Sequence, residues 1–109
     1  MATFFKNSVV KEIGTVPVRV LETGGSSRIT VIGLSLANLT GGTVVASITL
    51  KDDTSVTGYY VKDIVIPAQS SLRAVTQGEK LILAPTNELY VECNVSDALD
   101  AIVSYVEIV

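Results

Sequence analysis

Arg28–Lys51 reads RITVIGLSLANLTGGTVVASITLK, and between its two charged ends lie 22 residues without a charge. Twelve of the 22 are apolar, seven are Ser, Thr or Asn, and three are Gly. A membrane-spanning helix needs about 20 predominantly apolar residues. Here the centre, Asn38 to Thr43, is the most polar part. The second half alternates: Val44, Ala46, Ile48 and Leu50 take one face, and Thr43, Val45, Ser47, Thr49 and Lys51 the other. That period of two marks a strand with one buried face. In the first half Ile29 and Val31 share one phase and Ile32, Leu34 and Leu36 the other, with Gly33 at the switch, as a β-bulge requires. Burial of the strand on both faces is the rival account of Val31-Ile32. The stretch therefore predicts two strands folded back on each other at Leu39-Thr40-Gly41-Gly42, with the glycines supplying the positive φ of a tight hairpin.

The rest of the chain repeats the pattern. Its 109 residues predict a single domain over 1–109, large enough to bury a core without staples. Val, Ile and Thr total 37, and their branched side chains suit a pleated surface better than a helix. Residues 1–14, with the aromatic pair Phe4-Phe5, read as an N-terminal arm docking on a neighbouring subunit or as an edge strand, and Gly14 ends the segment. Val16 to Leu21 reads as a strand that lies on an edge or starts at Pro17, which donates no ladder hydrogen bond. Tyr59 to Ile66 is a strand stopped by Pro67, with apolar residues on both faces, as in a central strand, and one tyrosine ring turned outward. Leu72–Val75 and Lys80–Leu83 are short strands separated by a turn at Thr76–Glu79. In Glu88–Val95, residues Leu89, Val91, Cys93 and Val95 point inward. Ala101–Val109 closes the chain as a strand held in a sheet. No segment has a 3.6-residue period. The fold expected is all-β, a single antiparallel β-sandwich or jelly-roll-like barrel of about seven to nine strands.

The chemistry available is thin. There is no His and no Trp, and the one cysteine, Cys93, falls on a core face where a thiol is inert. Glu88 and Glu92 share a strand face but stand ~13 Å apart by strand rise, too far to act together. Gly24-Gly25 and Gly41-Gly42 lead into no helix and so cradle no phosphate. Asp52-Asp53-Thr54-Ser55 offers oxygen ligands but lacks the spacing of a calcium loop, and reads as a solvated turn. No enzyme, no metal and no cofactor is expected. The eight Lys and Arg are scattered singly, which argues against nucleic acid as a partner. A single cysteine excludes an internal disulfide, and MATFFKNSVV lacks the apolar run of a signal peptide, so secretion by that route is not expected. A chain so poor in charge and rich in apolar residues tends to hide surface against copies of itself or a partner.

Four segments resemble small structural proteins of tailed bacteriophages: RITVIGLSLANLTGGTVVASITLKD, GYYVKDIVIPAQSSL, EKLILAPTNELYVECN and DAIVSYVEIV. The similarity runs from Arg28 to the end and departs at Pro85-Thr86-Asn87, where the family pattern has a Gly-Asp turn. The resemblance implies a virion protein made in the host bacterial cytoplasm. It implies a β-sandwich repeated around a symmetry axis, as capsid decoration or cement or in the neck or tail. The partners implied are the chain itself and other virion proteins, namely major capsid, portal or connector, or tail proteins, with no nucleic acid and no membrane. Phe4, Phe5, Pro17, Tyr59, Tyr60 and Val109 are the expected subunit contacts. The competing class is a monomeric sandwich that binds a glycan or protein through Tyr59, Tyr60, Tyr90 or Asp52-Asp53.

Overall fold

The computed structural model describes residues 2–75 and 80–109. The predicted turn at Thr76–Glu79 lies outside the described residues. Among the described residues nine strands follow in chain order: β1 (Thr3–Ile13), β2 (Val18–Glu22), β3 (Arg28–Asn38), β4 (Val44–Lys51), β5 (Thr57–Ile66), β6 (Ser71–Val75), β7 (Leu81–Leu83), β8 (Glu88–Cys93) and β9 (Leu99–Ile108). They form two antiparallel sheets. Sheet A runs β1-β9-β3-β6, with β7 beside β6 on the same flank of β3, and sheet B runs β2-β8-β4-β5. The all-β sandwich expected from strand spacing is the fold observed.

Alternation decides which side chains enter the core between the sheets. From sheet A come Ile29, Val31, Leu34, Leu36, Ala101 and Val103; from sheet B come Val44, Ala46, Ile48, Leu89 and Val91, all fully or almost fully buried. The phase switch in β3 is a bulge, with the register against β9 shifting between Val31 and Gly33. The tyrosine pair divides, with Tyr59 outward and Tyr60 packed on the core.

The hairpin at Leu39–Gly42 is not there. β3 lies in sheet A and β4 in sheet B, so the chain arches from one sheet to the other. Neither Gly41 nor Gly42 has a positive φ, so no tight hairpin turn forms. The arch is held instead by Asn38, whose side chain is buried. Its Nδ2 shares two protons among the carbonyls of Gly42 (2.9 Å), Ile66 (3.1 Å) and Pro67 (3.0 Å). Its Oδ1 accepts from the Thr40 N–H at 2.9 Å and the Thr40 hydroxyl at 2.8 Å. Among the described residues, β4 and β5 are the one pair adjacent both in sequence and in a sheet.

A second correction concerns β5. It is an edge strand of sheet B, not a central one. Its second apolar face is exposed, as at Val65, rather than covered by a neighbour. At Asp63 (φ 52°) the strand bulges, and the Asp63 N–H donates to Ser47 Oγ at 3.0 Å. β1 bulges likewise at Glu12 (φ 56°), whose N–H donates to Asp100 Oδ1 at 3.0 Å. Gly14 follows, where an added Cβ would stand 3.0 Å from the backbone nitrogen of Asp97, too close for any larger residue without a shift.

Asn38→Ala is expected to destabilise the protein by about 3 kcal/mol, because several buried carbonyls lose their donor at once. Urea unfolding followed by circular dichroism measures this. A loss under about 0.5 kcal/mol would show that the amide does not hold the arch.

Candidate subunit-contact surfaces

The expected contact residues fall into two groups on opposite flanks of the sandwich. β1 stacks over β2 on one flank and β5 over β6 on the other. Phe4, Phe5 and Val109 come together at one end of β1, where Ala2 and Val109 exchange both backbone hydrogen bonds (3.0 and 2.9 Å). Pro17 is exposed just before β2 on the same flank. Tyr59 and Tyr60 are on β5, across the molecule. Lys62 Nζ sits 5.1 Å from the Tyr59 ring centre, and Lys6 Nζ 5.5 Å from that of Phe4.

The four flanking edges are not equally guarded. β2 is five residues long and preceded by proline; β6 and β7 are five and three residues long. β5 carries Lys62, Asp63 and a bulge. Short length, charge, proline and bulges all discourage a further strand from pairing. β1 is different: from Thr3 to Val10 its register with β9 is regular. Because Ala2 pairs with Val109 through both bonds, Phe4, Lys6, Ser8 and Val10 also bond to β9. The N–H and C=O groups of Thr3, Phe5, Asn7 and Val9 therefore face the open edge.

The outer faces of the sheets differ in chemistry. On sheet B, Glu88 lies at the centre of a polar network. Its Oε1 accepts from Arg19 Nη1 at 3.1 Å and from the Tyr90 hydroxyl at 3.0 Å, and Lys51 Nζ stands 3.8 Å from its other oxygen. Arg19 also meets Glu22 at 3.1 Å. The hydrogen bond from Arg19, then that from Tyr90, holds the Glu88 carboxyl below the usual glutamate range. The same bonds to Glu88 raise the pKa of both Arg19 and Tyr90.

Sheet A turns an apolar face outward. The pairings align Phe5, Val106, Thr30 and Ile82 in one row, and Val9, Ile102, Ser35 and Arg73 in another. Between them run Asn7, Ser104 and Gly33, beside Ile32 at the bulge. Phe5 is 80% exposed and Val9 62%. Arg73, exposed on β6, is the charged residue of these three rows. Sequence reading named Phe5 but missed Val9, Ile32, Ile82, Ile102 and Val106. The signal was present in AIVSYVEIV, where Ile102, Val106 and Ile108 are apolar in the phase opposite to Ala101, Val103 and Tyr105.

Other chemistry is sparse. Asp52 Oδ1 is occupied by the Thr54 N–H (2.9 Å), the Thr54 hydroxyl (2.7 Å) and the Val56 N–H (3.0 Å), so the Asp52-Asp53 loop is stapled to itself. Those bonds, the Thr54 hydroxyl foremost, also lower the Asp52 pKa. A shallow, open depression beside it is lined by Leu50, Val56, Gly58, Tyr59 and Tyr60. Cys93 is buried, with Sγ 3.0 Å from the Val95 carbonyl oxygen and 3.5 Å from that of Ile13. Among the described residues no cluster of His, Cys, Asp and Glu is placed to hold a metal ion.

This two-sheet sandwich has counterparts among solved structures. One is a chain from the disulfide-linked pili that form Bacillus endospore appendages, with a TM-score of 0.56 at 8% identity, over 96% of this chain and 86% of that one. Another is a chain of the infectious bursal disease virus Gx strain, with a TM-score of 0.51 at 8% identity, over 95% of this chain. The protein spans about a third (32%) of that viral chain's length. At such identities the likeness is one of fold. No protein-family model matches the chain, and the search of curated proteins finds no match.

The Glu88 network gives a test in acid. A carboxyl whose folded pKa lies below its unfolded value stabilises the fold above the unfolded value, and that stability is lost as pH falls through the folded one. Arg19→Gln is therefore expected to raise the Glu88 pKa toward the usual glutamate range and to flatten the loss of stability in acid. NMR titration of the Glu88 side chain reads it directly, and an unmoved pKa would show that Arg19 is not the cause.

Proposed function

We propose that the protein is a non-enzymatic structural subunit of a tailed-bacteriophage virion, present in many copies on the capsid surface as decoration or cement, or at the head–tail neck or tail. It is made in the host bacterial cytoplasm and joins itself and major capsid, portal or connector, or tail proteins. The observation that carries this reading is the combination of an open strand edge, Thr3–Val10, with a largely apolar sheet face on a molecule whose polar groups are spent on its own turns and ion pairs. Two further supports are the resemblance of the segments from Arg28 onward to small tailed-phage structural proteins and the fold shared with a pilus protein and a virus chain. Phe4, Phe5, Pro17 and Val109 on one flank and Tyr59 and Tyr60 on the other give each copy two different patches, the arrangement a head-to-tail ring uses. Any covalent link between copies would bypass Cys93, which is buried.

The mode of joining is strand addition at β1, where main-chain hydrogen bonds supply affinity. Light scattering on a sizing column, with electron microscopy of any large species, is expected to show a discrete multi-copy assembly, alone or on empty capsids. Asn7→Pro removes an N–H that faces the open edge and no bond to β9, so it is expected to abolish assembly with a melting temperature within about 5 °C of the parent. A monomer that ignores capsids but binds a glycan or Ca²⁺ would overturn this reading in favour of the binding module.

A further inference from the structure

We propose that the open edge of β1 pairs with β1 of a second copy, antiparallel and about a two-fold axis, so that the two copies share one continuous sheet A. The inference rests on the reading of the protein as a self-assembling subunit and names the partner of the β1 edge. Thr3, Phe5, Asn7 and Val9 turn their backbone N–H and C=O groups away from β9. A second copy can meet them with a strand only where it too leaves an edge open. β2 is short and follows Pro17, β6 and β7 are short, and β5 bulges at Asp63. Among the described residues β1 is the edge that remains, so β1 meets itself. Identical strands running antiparallel side by side are related by a two-fold axis perpendicular to the sheet. The sandwiches then lie flank to flank, and β5 with its exposed Tyr59 is on the far side of each.

Side chains choose the register. With the axis beside Asn7, Phe5 pairs with the second copy's Val9, Asn7 with Asn7, and Val9 with Phe5, each pair exchanging both backbone hydrogen bonds. Phe5 is 80% exposed and Val9 62%, and this register lays each ring against the other copy's valine, a favourable aromatic–β-branched pair. On the inner face Phe4, 46% exposed, comes opposite the second copy's Val10, and Lys6 opposite Ser8. An axis beside Lys6 sets the two Lys6 side chains directly opposite, which is unfavourable. An axis beside Ser8 runs the second strand into the bulge at Glu12 (φ 56°). An axis beside Phe5 carries Val9 past Thr3, where β1 starts.

The charges near the contact are Lys6, Lys11 and Glu12 on β1, and Arg19 and Glu22 on β2. In the Asn7 register the two Lys6 side chains are diagonal, about 7–8 Å apart at Cβ. Each is held by its own Glu107 at 2.7 Å. Arg19 is held by Glu22 and by Glu88, at 3.1 Å each. Lys11 and Glu12, beyond the regular segment, lie toward the second copy's uncharged Thr3 and Ala2. No two like charges stand directly opposite.

The test places single cysteines on β1 of the full chain, with melting curves confirming that each variant folds. Phe5, Asn7 and Val9 are exposed and Cys93 is buried, so wild type is expected to form no cross-link. Cα atoms of a hydrogen-bonded antiparallel pair lie about 5.5 Å apart, within disulfide reach. Under mild oxidation Asn7→Cys is expected to cross-link to itself. Phe5→Cys and Val9→Cys, each about 13 Å from its own counterpart, should stay single alone and cross-link when mixed. By sedimentation equilibrium wild type is expected to dimerise on the order of tens of micromolar, as contacts under about 1,200 Å² do. Asn7→Pro should weaken that dimer about 30-fold, each copy losing one bond at the axis, and Tyr59→Glu should leave it intact. Phe5→Cys joining Asn7→Cys instead of Val9→Cys, no cross-link in any combination, or an undiminished Asn7→Pro dimer would overturn the pairing. Binding of wild type to empty capsids, measured separately, reports on the structural-subunit reading itself. Capsid binding by a chain that never pairs with itself would overturn only the β1 pairing, whereas loss of both would overturn the reading beneath it.

Discussion

Where the chain leaves sheet A for sheet B, a single buried amide does what a backbone ladder cannot. Asn38 closes its own arch through Thr40 and Gly42 and reaches across to Ile66 and Pro67, where the chain returns from sheet B to sheet A. The Asn38 N–H donates to Ser70 O at 2.8 Å and the Leu39 N–H to Ala98 O at 2.8 Å, so three links between sheets converge at one end of the sandwich. Each link carries backbone groups with no strand beside them, and buried backbone groups must find partners. Thr23 plays the corresponding part near β2, its hydroxyl donating to Ala84 O at 2.6 Å and accepting from the Asn87 N–H at 2.8 Å. With the links fixed, the two inner faces have little freedom in how they meet.

How much of this was legible depended on the range of the signal. Alternation is local, and it placed Val44, Ala46, Ile48, Leu89, Val91 and Cys93 on inner faces, where they are found. The bulge at Gly33 was legible for the same reason. Pairing is not local. Alternating β3 and β4 satisfies a hairpin, where the apolar faces lie side by side, and an arch, where they oppose each other, equally well. The glycines at 41 and 42 suggested the hairpin; Asn38, three residues earlier, decided for the arch through carbonyls 28 and 29 residues further along the chain. The central placement of β5 failed because two apolar faces say that something covers them, not whether a third strand or a second molecule does. The outer face of sheet A was illegible as a surface because its members come from β1, β3, β7 and β9, and only the register lines them up.

The two outer faces divide the molecule's relations with water. Exposed ion pairs such as Arg19–Glu88 contribute little to stability. Their effect is to keep sheet B soluble and indifferent to apolar neighbours. Sheet A has no such dressing at its centre, and its β1 edge lacks the length limits, proline and early bulge that guard the other edges.

The place of β9 sets the order in which the molecule can form. It lies between β1 and β3, so the two longest strands of sheet A have no common partner until β9, Leu99–Ile108, arrives. Until then β1 is an unpaired strand. With one sequence-local pairing, β4–β5, available as a seed, loop closure has to precede almost every other contact, and folding is slow for a chain of this size. An open edge on β1 makes the unfinished chain prone to premature association.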